Sequence, residues 1–248
     1  MKSCLRHLSG LSGLVLLLFL WWLGTDVLSP KNSFASRFSV EETLPTLWHL
    51  LTGSDLFLHA LISLKRIVVG LVFALIIGVP VGLLIGAKPW VERATGPAFQ
   101  FLRMISPLSW MPIAVMVFGI GDKPIYFLLT FATVWPIMFN TAAGVKQLDR
   151  HFLLVAKSLA ATQSETLLYV VFPGILSHMM TGIRLAIGIA WIIIVPCEML
   201  GVSAGLGYFI LDTRDRLAYP ELMSTILLIG LIGYLLDSAV RAAARRLG

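Results

Sequence analysis

Stretches of about 20 nearly uncharged residues recur along this chain, and the cleanest, IVVGLVFALIIGVPVGLLIGA from Ile67 to Ala87, has almost nowhere to fold except inside a bilayer. Within lipid every backbone N–H and C=O must be satisfied by the segment itself or by a closed barrel. Continuous apolar runs without period-2 alternation point to helices. Six such runs are expected: Leu11 to Leu28, Ile67 to Ala87, Thr95 to Phe118 (interrupted by Pro107 and Pro112), Pro124 to Gly144, Met180 to Leu200, and Leu222 to Leu236. With 58% of 248 residues hydrophobic and 13% charged, a large soluble domain is excluded. The reading is an all-α integral membrane protein with about six transmembrane helices.

The net charge of +6 does not indicate a nucleic-acid partner, because the basic residues flank the apolar runs instead of forming one patch. They set topology instead. Lys2, Arg6, Arg241, Arg245 and Arg246 lie at the termini, and Lys88, Arg93, Lys146, Arg150 and Lys157 lie in the two loops that six crossings place on the same side. By the positive-inside rule that side is cytoplasmic, with both termini on it. The opposite loops mix Asp26, Glu41, Glu42, Asp55, Asp122, Asp212, Asp215 and Glu221 with Lys31, Arg37, Lys123, Arg214 and Arg216. Met1 to Gly24 has the basic start and apolar body of a secretory signal but no small-x-small cleavage site, and Trp21 and Trp22 have the character of interface anchors, so the first helix is expected to be retained. Cys4 and Cys197 have neither pairing nor metal-ligand spacing.

Between the first two runs, Thr25 to Lys65 is polar and ends in the amphipathic LFLHALISLKR, expected as an interfacial helix leading into the second span. Gly70, Gly78, Gly82 and Gly86 recur on one face of that span, where small residues let helices approach closely. On the cytoplasmic side, LLVAKSLAATQSETLLYVVFPGILSH (Leu153 to His178) interrupts the apolar pattern. Thr162-Gln163-Ser164-Glu165 spells a T-x-x-E capping box, so a short amphipathic helix is expected to start there and to end near Phe172 and Pro173.

This passage resembles the cytoplasmic loop of ABC importer permeases, E-A-A-x3-G-x9-I-x-L-P. Ala156 matches its third position, Val170 the isoleucine, Phe172 the leucine and Pro173 the proline. Val155 replaces the first alanine, Leu154 stands at the usual glutamate and Ala160 at the usual glycine. Thr181 to Ile210 (TGIRLAIGIAWIIIVPCEMLGVSAGLGYFI) and Arg103 to Gly121 (RMISPLSWMPIAVMVFGIG), together with SLKR near the second span, are similar to the nitrate/sulfonate/taurine branch of that family, which includes bicarbonate permeases. The resemblance covers Ser63 to Asp237 and implies a type I ABC importer (MetI-like) permease core over 63–248, with a coupling loop at 145–179. Residues 1–62 then form an N-terminal transmembrane helix and periplasmic linker.

The resemblance further implies a bacterial inner-membrane complex of two permeases, expected as a homodimer, with two ABC ATPase subunits and a periplasmic substrate-binding protein. No G-x4-G-K-[ST] loop occurs here, so the chain is expected to be no enzyme and to carry no cofactor, MgATP belonging to the partner ATPase. The coupling residues are expected to be Ala156, Lys157, Ala160, Glu165, Leu167, Leu168, Tyr169, Val170, Phe172 and Pro173. Among these, Leu167, Leu168 and Tyr169 are the contacts, with Lys157 and Glu165 at the polar edge.

Charges inside spans are costly and tend to face a pore or a partner. Arg184 and Asp237, near span ends, are expected to be structural or snorkelling. Arg103 and Glu198 are pathway candidates, and two readings are open: Arg103 attracts an oxyanion, or it pairs with Glu198 to hold helices. Trp110, Trp135, Asn140 and Trp191 are expected to supply amphipathic surfaces and donors along the pathway, and Ser106, Ser109 and Trp110 to line it, because a helix broken by Pro107 and Pro112 offers free backbone donors. In GVSAGLGYFILDTRDRLAYP a short helix or re-entrant turn is expected, with Gly205 and Gly207 lending flexibility to an outer gate and Asp212, Arg214, Asp215 and Arg216 offering a docking site. The alternative class, an ATP-independent secondary transporter or channel for a small anion, predicts inverted repeats and buried ionisable relays that this sequence lacks.

Overall fold

The structure, a computed structural model, describes residues 13, 15–30, 33–53 and 55–247. Cys4, Lys2, Arg6, Leu11 and Lys31 lie outside the described residues, as do the side chains of Asp55, Arg245 and Arg246. Every regular element among the described residues is helical. The chain groups into two compact units: 1–59 with 209–230, and 60–208 with 231–248.

In the first unit, helix α1 (Val15–Val27) ends in a π-helical turn, Leu23–Val27. Asp26 and Ser39 are tied to one another at 2.5 Å, and Ser39 also caps α2 (Val40–Thr52) by accepting from the Glu41 N–H. This second helix falls in the segment expected to be a polar linker; Pro45 inside it removes one donor from the ladder, and the cap and the remaining turns hold the helix across it. Phe34 and Phe38 pack edge-on against Tyr219, and the Ser224 hydroxyl donates to the Thr43 carbonyl at 2.9 Å.

The second unit is built on α3 (Asp55–Ala87) and α6 (Asp122–Gln147). LFLHALISLKR is not a separate interfacial helix: it continues into the second span, so that α3 runs for 33 residues, about 50 Å at 1.5 Å per residue. The glycine face of α3 lies against α6. A Cβ on Gly70 would fall 2.6 Å from Leu129 Cβ, on Gly82 2.6 Å from the Met138 carbonyl oxygen, and on Gly86 2.6 Å from Val145 Cβ. Residue numbers rise together along this contact, so the two helices run parallel. Contacts of α9 (Phe172–Glu198) with α6 run the other way, Gly182 meeting Asn140 and Gly144 meeting His178, so these two are antiparallel.

Parallel α3 and α6 require the chain to return across the unit between them. α4 (Pro89–Met104) and α5 (Met111–Phe118) make that return as a pair bent by 86°. The break falls at Ile105 and Ser106, whose extended backbone precedes Pro107, while Pro112 sits harmlessly in the first turn of α5. The far end of α11 (Tyr219–Leu247) runs antiparallel to α9, with Gly233 against Trp191 and Asp237 beside Arg184 at 3.7 Å. Among the described residues four helices are long and apolar enough to cross a bilayer, or five with the bent pair counted as one span. The described part of α1 is shorter than a full crossing.

Candidate functional site

At one end of the second unit, four segments converge on a guanidinium. Ser63 and Arg66 are three residues apart on α3 and so share a face; Glu198 ends α9, Asp122 begins α6, and Ala204 to Gly207 lead into α10 (Leu206–Asp215). Arg66 is 3% exposed and Glu198 0%. Arg66 Nη1 donates to Glu198 Oε1 at 2.7 Å and to the Ala204 carbonyl at 2.6 Å, while its Nε and Nη2 both donate to Asp122 Oδ1, at 2.9 and 2.6 Å. Ser63 Oγ donates to the Glu198 carboxylate at 2.8 Å and accepts the Leu206 N–H at 2.9 Å, and the Gly207 N–H donates to Glu198 Oε2 at 3.0 Å. A fully desolvated carboxylate is tolerable only when paired and bonded in this way.

Glu198 is therefore paired with Arg66, not with Arg103, and it lies in a buried clasp outside the cavity that Arg103 lines. Gly205 and Gly207 are also placed differently from expectation. Both are buried against Glu198, leaving no room for a side chain, and Gly205 has φ +118°, so they serve close packing instead of flexibility.

Arg103 lies in the last turn of α4, its guanidinium 5.4 Å from the centre of the Phe139 ring. It lines a half-open cavity of about 420 Å³ with Trp135, Asn140, Pro107, Leu185 and Ile189. Asn140 Nδ2 donates to the Pro136 carbonyl at 2.8 Å, leaving the rest of the amide for the cavity. Of the expected pathway residues, the structure brings Arg103, Trp135 and Asn140 together. It leaves Ser106 and Ser109 exposed outside that lining. Trp110 packs on Phe131, and Trp191 fills the gap at Gly233, so both belong to helix packing. Arg184, Asp237 and Arg241 form a partly exposed chain of ion pairs between α9 and α11.

At the other end of α6, Lys146 pairs with Glu92 of α4, and the loop expected to couple to an ATPase begins. The capping box is present: Thr162 Oγ1 accepts the Glu165 N–H at 3.3 Å, and Glu165 accepts from the Thr162 backbone at 2.8 Å, which holds this exposed carboxyl below its usual range. The helix does not end at Phe172 and Pro173 as expected. α8 (Gln163–Thr166), a π-helical turn (Leu167–Val171) and α9 run as one helix of 36 residues, about 54 Å, which is longer than the bilayer core of roughly 30 Å, so that part of it forms a projection. The Phe172 N–H bonds five residues back to the Leu167 carbonyl; this widened turn makes room for the Pro173 ring, which would clash in a regular α-turn.

Leu167, Leu168, Tyr169 and Phe172 are exposed on this projection, Tyr169 at 74%, and Val170 is half-buried. α7 (Arg150–Ser158) adds Phe152, Leu154 and Val155, an apolar face that the sequence motif did not single out; Lys157 is exposed and Ala156 buried. Ala160, at the usual glycine, closes α7 in a left-handed conformation with φ +54°. The Ala161 N–H reaches the Ala156 carbonyl and the Ala160 N–H the Lys157 carbonyl, both at 3.0 Å. A left-handed residue other than glycine costs roughly 1–2 kcal/mol. After glycine's own entropy cost of about 0.5–1 kcal/mol, Ala160→Gly is expected to stabilise the protein by about 0.5–1 kcal/mol. A thermal or denaturant midpoint that fell would contradict the geometry.

Further along the chain, α10 is the short helix anticipated. The charges at its end pair locally, Arg216 with Asp212 at 2.8 Å and Glu221 at 3.1 Å, and Arg214 with Asp215 at 2.8 Å.

Residues 78–248 match the family described as "Binding-protein-dependent transport system inner membrane component". The chain belongs to that permease family. Its relatives include the bicarbonate transport system permease CmpB of Synechocystis, 34% identical over 92% of this chain and 84% of that one. The nitrate import permease NrtB of Leptolyngbya laminosa is 35% identical over 79% and 70% of the two chains, and the taurine permease TauC of Escherichia coli 32% over 78% and 70%. The fold matches the permease of the inward-facing MetNI methionine transporter with a TM-score of 0.63, at 17% identity, over 82% of this chain and 98% of that one. The permease is thus a multi-pass inner-membrane component of the nitrate/sulfonate/taurine/bicarbonate branch of ABC importers, a family that works with an ATPase and a substrate-binding protein. Sequence reading passes over Arg66 and Asp122 as site residues. The available signal is SLKR itself: an arginine at the start of a long apolar run needs a partner.

Proposed function

We propose that this permease imports a small anion handed over by a periplasmic binding protein, as one of two identical copies driven by ATP hydrolysis in partner subunits. The observation that carries the anion is the cavity in which Arg103 and the Asn140 amide are the polar groups among aliphatic and aromatic side chains. One guanidinium suits a ligand with one anionic group, and relatives named for bicarbonate, nitrate and taurine, whose sulfonate is such a group, support that class. Both termini and the coupling loop face the cytoplasm, where MgATP is held by the ATPase and where the excess of Lys and Arg places them. The transport core comprises residues 63–248; residues 1–62 add the first helix and an outer linker. The exposed apolar projection made by α7 and Leu167 to Phe172 supports docking on an ATPase, in the way an amphipathic helix fills a groove. Asp212, Arg214, Asp215 and Arg216 are the outer contact for the binding protein.

The test starts with tagged permease drawn from its native membrane in mild detergent. An ATPase subunit is expected in near-equal amount, and lost when Leu167 and Leu168 are both changed to Asp. In liposomes of the recovered complex, with its binding protein supplied on the outer side, Arg103→Gln is expected to cut uptake of labelled bicarbonate, nitrate or taurine by at least about tenfold, the value of one charge-assisted contact. Recovery of the permease without ATPase overturns the importer reading. Undiminished uptake by Arg103→Gln overturns the role of the cavity.

A further inference from the structure

The two carboxylates on Arg66 are held very differently. Glu198 is wholly buried and receives bonds from Arg66, Ser63 and Gly207, whereas the Asp122 side chain is 42% exposed and bonded to the guanidinium through one oxygen. Its second oxygen has the Tyr126 hydroxyl at 3.4 Å. Asp122 also follows directly on a turn, Gly119-Ile120-Gly121, in which both glycines have positive φ, +77° and +128°, and open space where a side chain would start. Ile120 of this turn is 81% exposed and lies close to Gly201, itself at φ +85° in the α9–α10 loop. Two glycine-jointed loops thus meet at this end of the unit, one tied to Arg66 through Asp122 and the other through the Ala204 carbonyl.

We infer that the Asp122–Arg66 pair is a releasable latch on the outer gate, and that Asp122 is a positioning residue in the transport cycle. The inference rests on the permease reading above. Arg66 stays with Glu198 throughout, because separating that pair leaves charges stranded out of water. Asp122 parts from it at lower cost, since its carboxylate already reaches solvent and Arg66 keeps its bonds to Glu198 and the Ala204 carbonyl. The α5–α6 turn then pivots at Gly119 and Gly121, and the outer ends of α5 and α6 move away from the α9–α10 loop. Closed and open outer ends form a two-state equilibrium, which ATP in the partner subunits biases toward the open side. Weakening the latch lowers the free energy of the open state relative to the closed one, so that the ATPase fires without being prompted.

The test compares wild type, Asp122→Asn and Asp122→Glu in the complex recovered with its ATPase, in liposomes with saturating ATP and no binding protein. Asp122→Asn keeps the size of the side chain and its exposure to water. Its thermal midpoint is expected to stay within about 2 °C of wild type, while unstimulated ATP hydrolysis rises by about two- to fivefold, the range over which a partly exposed ion pair shifts such an equilibrium. Asp122→Glu, which restores the charge, is expected to return hydrolysis toward the wild-type rate. A wild-type rate in Asp122→Asn, or a fall in rate together with a fall in midpoint, would overturn the latch. Wild-type permease recovered without any ATPase would overturn the importer reading, and the latch with it.

Discussion

Glu198→Gln is expected to lower the thermal midpoint of the detergent-solubilised permease by roughly 6–20 °C. Removing one partner of a buried ion pair costs about 3–5 kcal/mol, and in a chain of this size each kcal/mol moves the midpoint by roughly 2–4 °C. The substituted amide has nearly the same shape, so packing is unchanged; the loss is electrostatic. Its NH2 group faces donors, Arg66 Nη1 or the Gly207 N–H, at positions where the carboxylate accepted from both. Arg66→Met is expected to cost a similar amount by leaving Glu198 unpaired. The double variant Arg66→Met, Glu198→Leu is expected to recover part of the loss, because no buried charge remains on α9. A midpoint for Glu198→Gln within about 2 °C of wild type, less than the shift expected from 1 kcal/mol, would mean that the clasp is not the fastener at this end of the unit.

The second large effect is expected at Gly82. Adding one methyl group places a carbon 2.6 Å from the Met138 carbonyl oxygen and 2.8 Å from Thr141 Cβ. The Met138 carbonyl is backbone and has no rotamer to relieve the clash, so α3 and α6 must separate along their whole parallel contact. Overpacking of this kind costs about 1–3 kcal/mol, against which alanine's helical preference returns at most about 1 kcal/mol. Gly82→Ala is therefore expected to lower the midpoint, and Gly82→Val to prevent recovery of folded protein. Gly188→Ala on α9 is the control: apart from its own helix backbone, no described group lies within 4 Å of where its methyl carbon would sit, so alanine there is expected to raise the midpoint. Equal behaviour of the two alanine variants would show that the glycine face does not set the helix spacing.

The elements that can be read from the residues are those whose causes are local. Ile67 to Ala87 is a span because about 20 consecutive apolar residues admit only a helix in lipid. Pro107 breaks the third span because its ring forces the preceding residue out of the helical region, as Ser106 confirms with ψ 129°. Thr162 and Glu165 cap a helix start through bonds three residues apart. Local rules also mislead where tertiary context outweighs them. Pro173 reads as a helix end, but a π-turn absorbs it inside a helix anchored along its length to α6. Ala160 departs from the usual glycine, yet the backbone keeps the left-handed turn that the loop requires.

What the sequence determined by itself was a bundle of membrane helices, its family, and most of the places where those helices start, bend and project. Which charge meets which was decided by tertiary structure alone. Arg103 and Glu198 carry opposite charge in neighbouring spans, and composition offers no reason to keep them apart. Parallel packing of α3 on α6 brings Arg66 to the Glu198 end of α9, across 132 positions of sequence, and leaves Arg103 facing a cavity. The physical reason is range. Hydrophobicity, capping and proline act within a turn or a span, so they are written in consecutive residues, whereas an ion pair in a low-dielectric interior is set by distance in space, which exists only once the helices have packed.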